Sequence, residues 1–129
     1  MIVDSSALMA VVLAEPDAGI FLSTMGSAGS LRMASPTLVE VRLAAERRRG
    51  PGAVDLIEDL LADLEIEIIP FTAEHADLAN AAWRRFGKPH HSAALNLSDT
   101  YSYALAKATG EPLLFKGDDF TQTDVASAL

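Results

Sequence analysis

The chain has 129 residues, half of them apolar, which suits one domain with a hydrophobic core and excludes a disordered chain. It has no cysteine, which excludes disulfides, thiolate metal sites and cysteine nucleophiles. The net charge of −8 argues against a generic nucleic-acid coat protein, which normally carries a basic surplus. We expect a single domain, residues 1–129, in the cytoplasm and without a membrane contact, because the sequence shows no signal peptide and no apolar run of membrane-spanning length.

The spacing of apolar residues predicts short strands that alternate with helices. The predicted strands are residues 1–3, 31–34, 66–69 and 113–115. The predicted helices are residues 5–13, 17–25, 36–49, 53–64, 72–86 and 97–109, and the longest loop is residues 87–95. We expect Ser35 to cap the third helix, Thr72 to cap the fifth and Gly110 to close the sixth. This alternation predicts an α/β fold with a mostly parallel sheet.

Acidic residues lie in or just after several of these apolar segments. Asp4 follows the first strand, Asp118 and Asp119 follow the fourth, and Glu40 lies early in the helix after the second. The carboxyl ends of parallel strands form one edge where sites gather, so these acids are expected to lie close together. Asp99 begins the last helix and joins them only if that helix end points the same way. Converging carboxylates usually bind a divalent cation, so metal-dependent phosphodiester chemistry is the first hypothesis.

Each acid taken alone also has a purely structural interpretation. Asp4, which precedes two serines, could simply cap the first helix. Asp99 lies in a first helical turn, where a negative charge complements the helix dipole. Asp118 and Asp119 follow a glycine, as in many turns. The joint position of these acids at strand ends is therefore more informative than any one of them.

Glu40 has the weakest structural interpretation. It shares a helix face with Leu43 and Ala44, so we expect it to be partly buried. Neither Arg42 nor Arg47 lies three or four residues away, so an ion pair within the helix is poorly placed. A carboxylate in that position costs stability unless something else compensates it.

Basic residues form two local clusters, Arg47 to Arg49 and Arg84, Arg85 with Lys88. Each is either a solvated helix end or a contact for substrate phosphates. We favour Arg84 and Arg85 as the substrate-binding pair, because the loop that follows them leads to the helix that begins at Asp99.

Four sequence blocks together resemble a known family. They are residues 1–8, 36–40, 95–106 and 113–120, the last followed by Thr123 and Asp124. In this order they resemble a PIN-domain ribonuclease, specifically a VapC-type toxin of a bacterial type II toxin–antitoxin pair. The resemblance implies a PIN-like parallel sheet flanked by helices and an acidic pocket that binds Mg²⁺ or Mn²⁺. It also implies an RNA substrate, a cognate VapB-like antitoxin and a homodimer.

The resemblance also implies roles for individual acids. By block position, Asp4, Glu40 and Asp99 match the three firm acidic residues of the family. The fourth acid is Asp119 or, as second choice, Asp118. Asp4, Asp99 and the fourth acid would hold one or two cations that activate water for attack on an RNA phosphate. Glu40 would hold a water of the metal or a second ion.

Two supporting residues follow from the same resemblance. Ser6 matches a small hydroxyl position beside the first acid, and Asn96 a polar position before the third. Ser98 stands where relatives often carry glycine, and the chain ends so soon after Val125 that any final strand must be short. Two other functions remain open: a PIN-like nuclease that acts on DNA or in general RNA turnover, and a non-catalytic binding module with the same fold.

Overall fold

The computed structural model describes residues 1–88 and 91–129, and in them it contains a four-stranded sheet in which every strand pair is parallel. The strand order is β3-β2-β1-β4. The strands are β1 (Ile2–Val3), β2 (Leu31–Ala34), β3 (Ile66–Ile69) and β4 (Leu113–Leu114). The helices are α1 (Ser5–Val12), α2 (Ala18–Gly26), α3 (Ser35–Arg49), α4 (Gly52–Asp63), α5 (Ala73–Phe86) and α6 (Leu97–Thr109). The predicted α/β class and its ten elements are confirmed, with each end within one residue of its predicted position.

Successive residues of the central strands enter two different cores. Val3 and Leu114 pack with residues of α1 to α4, whereas Ile2 and Leu113 pack with residues of α5 and α6. All four are 0% exposed. Strands buried on both faces need continuous apolar sequence, and this is why two apolar residues suffice to define β1 and β4.

Helix ends fix how the strands connect to the helices. Thr72 caps α5 as predicted, and Gly110 closes α6 with a left-handed backbone at φ 70°. The prediction that Ser35 caps α3 is wrong: Ala34 is the N-cap, and the Ser35 hydroxyl instead accepts a hydrogen bond from the Phe71 backbone N–H at 3.2 Å. Strand β2 therefore runs directly into α3, and Ser35 ties that junction to the segment after β3.

The chain's last residues add a brief pairing beside β4. The Leu113 N–H donates to the carbonyl of Ala126, and the Ala128 N–H donates to that of Leu113. This confirms that the final strand is short. Of the predicted loop 87–95, residues 89 and 90 lie outside the described residues. Among the described residues, none of the helices combines the length and the apolar character needed to cross a membrane.

Candidate active site

Four acids from four different elements share one electrostatic neighbourhood. Asp4 follows β1, Glu40 lies in the second turn of α3, Asp99 in the first turn of α6, and Asp119 after β4. The charges of Asp4, Asp119 and Glu40 all raise the pKa of Asp99, and that of Asp4 also raises the pKa of Glu40. The N-terminus of α6 therefore lies near the acids at the strand ends. The sequence alone did not decide the direction of this helix.

Asp4 is buried and held by hydroxyl groups on both of its oxygens. Its Oδ2 accepts hydrogen bonds from the Ser6 backbone N–H at 2.9 Å and from the Ser6 hydroxyl at 2.6 Å. Its Oδ1 accepts one from the Ser102 hydroxyl at 2.6 Å. The Lys116 backbone N–H donates to the Ser6 hydroxyl at 2.9 Å, which fixes that serine in turn. Asp4 thus caps α1 and belongs to the acid group at the same time.

Asp99 is locked into the start of α6 by a reciprocal cap. The Asn96 backbone N–H donates to Asp99 Oδ2 at 2.7 Å, and the Asp99 N–H donates to Asn96 Oδ1 at 3.0 Å. The pKa of Asp99 is raised to about 7 by burial, the largest cause, and by the charges of Asp4, Asp119 and Glu40, while the Asn96 N–H opposes the rise. The buried carboxylate is therefore costly to ionise where it stands.

Glu40 carries an oxygen that lacks a partner. Within the part of the chain that the structure describes, its Oε2 is buried and makes no hydrogen bond. Burial raises the pKa of Glu40, the Asp4 charge raises it further, and the hydroxyls of Ser98 and Ser5 oppose the rise. The predicted partial burial is confirmed. Arg42 provides no compensation, because it pairs with Glu58 instead.

This donor set has the chemistry that a hard divalent cation prefers. Carboxylate oxygens are typical ligands of Mg²⁺ and Mn²⁺, and a buried oxygen without a donor fits an outside partner. In residues 1–88 and 91–129, no three acidic or histidine side chains already converge closely enough to form a coordination sphere. The acids therefore have the chemistry of metal ligands, but within the described residues their oxygens are not arranged around a common point.

The two candidates for the fourth acid differ in their relation to Asp99. Both Asp118 and Asp119 are exposed in the turn after β4. Of these two acids, only Asp119 is among the charges that add to the effect of burial in raising the pKa of Asp99. The Asp118 carbonyl accepts a hydrogen bond from the Thr121 N–H and helps to close the turn. These positions favour Asp119 over Asp118 as the fourth acid.

The basic clusters differ in their relation to the acids. Glu40 lines two clefts, one of about 470 Å³ that includes Arg47 and one of about 280 Å³ that includes Arg48. Arg85 instead pairs with Asp124 at 3.0 Å, an acid that Lys107 also contacts near the C-terminal end of α6. Arg47 and Arg48 thus share clefts with Glu40 about two helical turns away along α3, whereas Arg85 is paired with Asp124. Arg84, which is exposed, and Arg85 remain a prediction as substrate contacts.

Ser102 is a site residue that the sequence reasoning missed. It comes three residues after Asp99 on α6, so the two share a helix face. That spacing was the available signal, but a serine in an apolar helix is common enough to pass unnoticed. Its 2.6 Å contact with Asp4 becomes evident only in three dimensions.

Comparison with known proteins agrees with the fold. The PIN domain family profile matches residues 1–126. Ribonuclease VapC42 of Mycobacterium tuberculosis is 44% identical over 99% of this chain and 98% of its own length. Ribonuclease VapC of Mycolicibacterium smegmatis is 41% identical over 98% of both chains. The crystal structure of Mycobacterium tuberculosis VapC20, described as a sarcin-ricin loop cleaving toxin, superimposes with a TM-score of 0.80 at 17% identity, covering 97% of this chain and 95% of that one.

The profile match and the high identity over full length define the protein's class. The chain belongs to the PIN-domain family and, within it, to the VapC ribonucleases. The resemblance drawn from the four sequence blocks is therefore confirmed, and so is the PIN-like architecture.

The raised pKa of Asp99 predicts a pH-dependent cost in the metal-free protein. Its ordinary value is 3.8 and its folded value is about 7, so the folded state binds more protons than the unfolded state between these limits. The free energy of unfolding should therefore fall as pH rises from 4 to 7. Asp99→Asn keeps an oxygen for the Asn96 N–H but cannot ionise, so its stability advantage over the wild type should grow across that window.

Urea unfolding in EDTA at several pH values measures this difference. Asn80→Gln, an exposed change on α5 that involves no ionisable group, is the control and should give a difference that does not change with pH. A pH-independent difference for Asp99→Asn would contradict the assigned environment of Asp99.

Proposed function

We propose that this VapC ribonuclease hydrolyses RNA phosphodiester bonds with Mg²⁺ or Mn²⁺ held by Asp4, Asp99 and Asp119. The observation that carries the metal requirement is the buried, unpartnered Oε2 of Glu40 in a group of acids where burial, together with the charges of neighbouring carboxylates, raises the pKa of Glu40 and of Asp99. A divalent cation would remove this repulsion, because it offsets the charges that burial makes costly.

In this mechanism the protein's residues orient the carboxylates and the attacking water, and the bound ion would supply the activation of that water. When bound, the ion lowers the pKa of water and offsets charge on the leaving oxygen. Ser6 and Ser102 hold the Asp4 carboxylate, and Asn96 holds that of Asp99. Glu40 Oε2, which accepts no hydrogen bond within the described residues, would take the proton that the attacking water loses as its oxygen bonds to phosphorus. The P–O bond to the leaving oxygen breaks, and that oxygen takes up a proton from solvent. No side chain needs to become a covalent nucleophile.

Arg47 and Arg48 are the basic residues best placed to guide RNA phosphates to these acids. They line the two clefts that meet at Glu40. A substrate that approaches a protein of net charge −8 needs local positive charge near the reacting groups. We therefore propose that this pair, rather than Arg84 and Arg85, makes the principal phosphate contacts.

The proposed partners follow from charge and exposed apolar surface. We propose that a VapB-like antitoxin blocks the acids with a basic segment, because opposite charge favours that encounter. We also propose a homodimer. Val39, Leu43 and Leu97 are 53%, 58% and 67% exposed. Tyr101 connects them, because it lines one cleft together with Val39 and Leu43 and a second cleft together with Leu97. An apolar surface of this kind is typical of a protein interface.

The role of Glu40 can be separated from its effect on stability. Glu40→Gln removes a partly buried charge, so the metal-free protein should be as stable as the wild type or more stable. RNA cleavage should fall by about 100-fold or more, the scale expected for a group that assists proton transfer. Thermal unfolding in EDTA and cleavage of a defined RNA with Mn²⁺ measure the two effects.

Glu46→Gln is the matched control, because Glu46 is an exposed glutamate on the same helix. It should leave both stability and cleavage unchanged. A Glu40→Gln variant that unfolds far more easily yet still cleaves RNA would show that Glu40 holds the fold instead.

The proposed phosphate contacts can be tested by salt dependence. Arg47→Ala with Arg48→Ala should weaken RNA binding and lower the magnitude of the salt slope by about 0.7 for each phosphate of a single-stranded RNA that the arginines no longer neutralise. Binding is measured by fluorescence anisotropy between low and physiological salt. Arg84→Ala with Arg85→Ala is the comparison pair. If the second pair alone flattens the slope, the substrate path follows α5, and if neither does, both assignments fail.

If the exposed apolar residues Val39, Leu43 and Leu97 form the proposed dimer interface, a single charge introduced among them should disrupt the dimer. Leu43→Glu places a carboxylate in the proposed interface and should convert a dimer to a monomer, without loss of monomer fold because Leu43 is already exposed. Light scattering coupled to gel filtration reports the mass. Leu22→Glu, on α2, is the control and should remain dimeric. A wild-type monomer, or a Leu43→Glu dimer, would contradict this interface.

A further inference from the structure

A buried pair of hydroxyl groups lies beneath the acids. Ser102 on α6 is 1% exposed and donates to Asp4 Oδ1 at 2.6 Å. Thr37 on α3 is 0% exposed, and its hydroxyl lies 3.4 Å from that of Ser102. The distance between the two hydroxyls is long for a hydrogen bond, whereas the bond to Asp4 is short and charge-assisted.

The number of hydroxyl protons decides which group donates in each of these two hydrogen bonds. A serine hydroxyl has one proton, and the Ser102 proton is directed to the Asp4 carboxylate. Thr37 must therefore be the donor in its contact with Ser102. The order of donation is Thr37 to Ser102 to Asp4, and each step supports the negative charge on Asp4.

The hydrogen bonds already made by Asp4 limit what it can offer to a ligand. A carboxylate has about four lone-pair positions. Two on Oδ2 are taken by the backbone N–H and hydroxyl of Ser6, and one on Oδ1 by Ser102. Counting the donors in residues 1–88 and 91–129, one position on Oδ1 is left, so Ser102 shares the Asp4 oxygen that can still accept a partner.

The hydroxyl pair also connects the elements that carry the other acids. Thr37 comes three residues before Glu40 on α3, and Ser102 three residues after Asp99 on α6, so each hydroxyl lies about one helical turn from an acid. The pair therefore links the two helices to the end of β1 immediately beneath the acid group.

We propose that Ser102 is a positioning residue of the active site, which fixes the one free oxygen position of Asp4 toward the cation, and that Thr37 acts through Ser102. This inference rests on the proposed function, since it assigns a role toward the Mg²⁺ or Mn²⁺ that Asp4 would hold. Residues that orient metal ligands without touching the metal commonly affect affinity by about 10- to 100-fold.

The test compares Mn²⁺ affinity with fold stability in full-length variants. Ser102→Ala should weaken Mn²⁺ binding by about 10-fold in calorimetry and lower kcat for RNA cleavage with KM little changed. Ser102→Thr retains the hydroxyl and should recover most of the affinity. Thr37→Val, which removes a hydroxyl at constant shape, should weaken binding less, and it should add nothing in the Ser102→Ala background because it acts through that residue.

Thr100→Val is the matched control. Thr100 is also buried on α6, but its hydroxyl donates to the Leu97 carbonyl at 2.6 Å and not to an acid. This variant should keep Mn²⁺ affinity even if its melting temperature falls. Ser102→Ala with wild-type affinity, or with a loss matched by Thr100→Val, would overturn the inference while the proposed function stands. A wild-type protein that binds no Mn²⁺ would overturn both.

Discussion

The repulsion among carboxylates at one edge of the sheet is the constraint on which this structure depends. Asp99 is buried with Asp4, Asp119 and Glu40 in electrostatic range, and its pKa rises to about 7 as a result of burial and these charges. No fold gains stability from such a group by itself, because each charge is separated from water and faces others of the same sign. The arrangement is understandable as preparation for a cation, which reverses the sign of the local field.

The scaffold offsets part of this cost by giving Asp4 and Asp99 a structural role in addition to their place among the acids. Asp4 is the N-cap of α1, and Asp99 completes the capping box of α6 with the N-cap Asn96, so the same hydrogen bonds that complete a helix start also fix a carboxylate. The structural and functional interpretations of these two residues are therefore not exclusive. The fully buried β1 and β4 hold the strand ends in register, and Ser6, Ser102 and the caps set the side chains at those ends. Glu40 lacks this support at Oε2, which accepts no hydrogen bond within the described residues.

The sequence predicted the elements well because each has a local cause. The helical spacing of apolar residues and the capping residues at helix ends define the helices, and short apolar runs between them define strands buried on both faces. Ser35 was misassigned because its hydroxyl bonds to Phe71, a partner distant in sequence. The same limit explains why the sequence could not decide between Asp118 and Asp119, could not place Arg85 beside Asp124, and did not reveal Ser102. These all depend on how separate elements pack, which no local pattern records.

The most direct measurement is a crystal structure of the protein grown with Mn²⁺, with anomalous scattering to locate the metal. The account predicts one or two anomalous peaks within bonding distance of carboxylate oxygens of Asp4, Asp99 and Asp119, at roughly 2.0–2.2 Å, as expected for small divalent ions with oxygen ligands. Glu40 should lie close enough to contact the ion or its water. A peak found only at other acids, such as the half-buried Glu15 and Asp17 that pair with Lys116, would contradict the account, as would fully loaded crystals with no peak among the four acids.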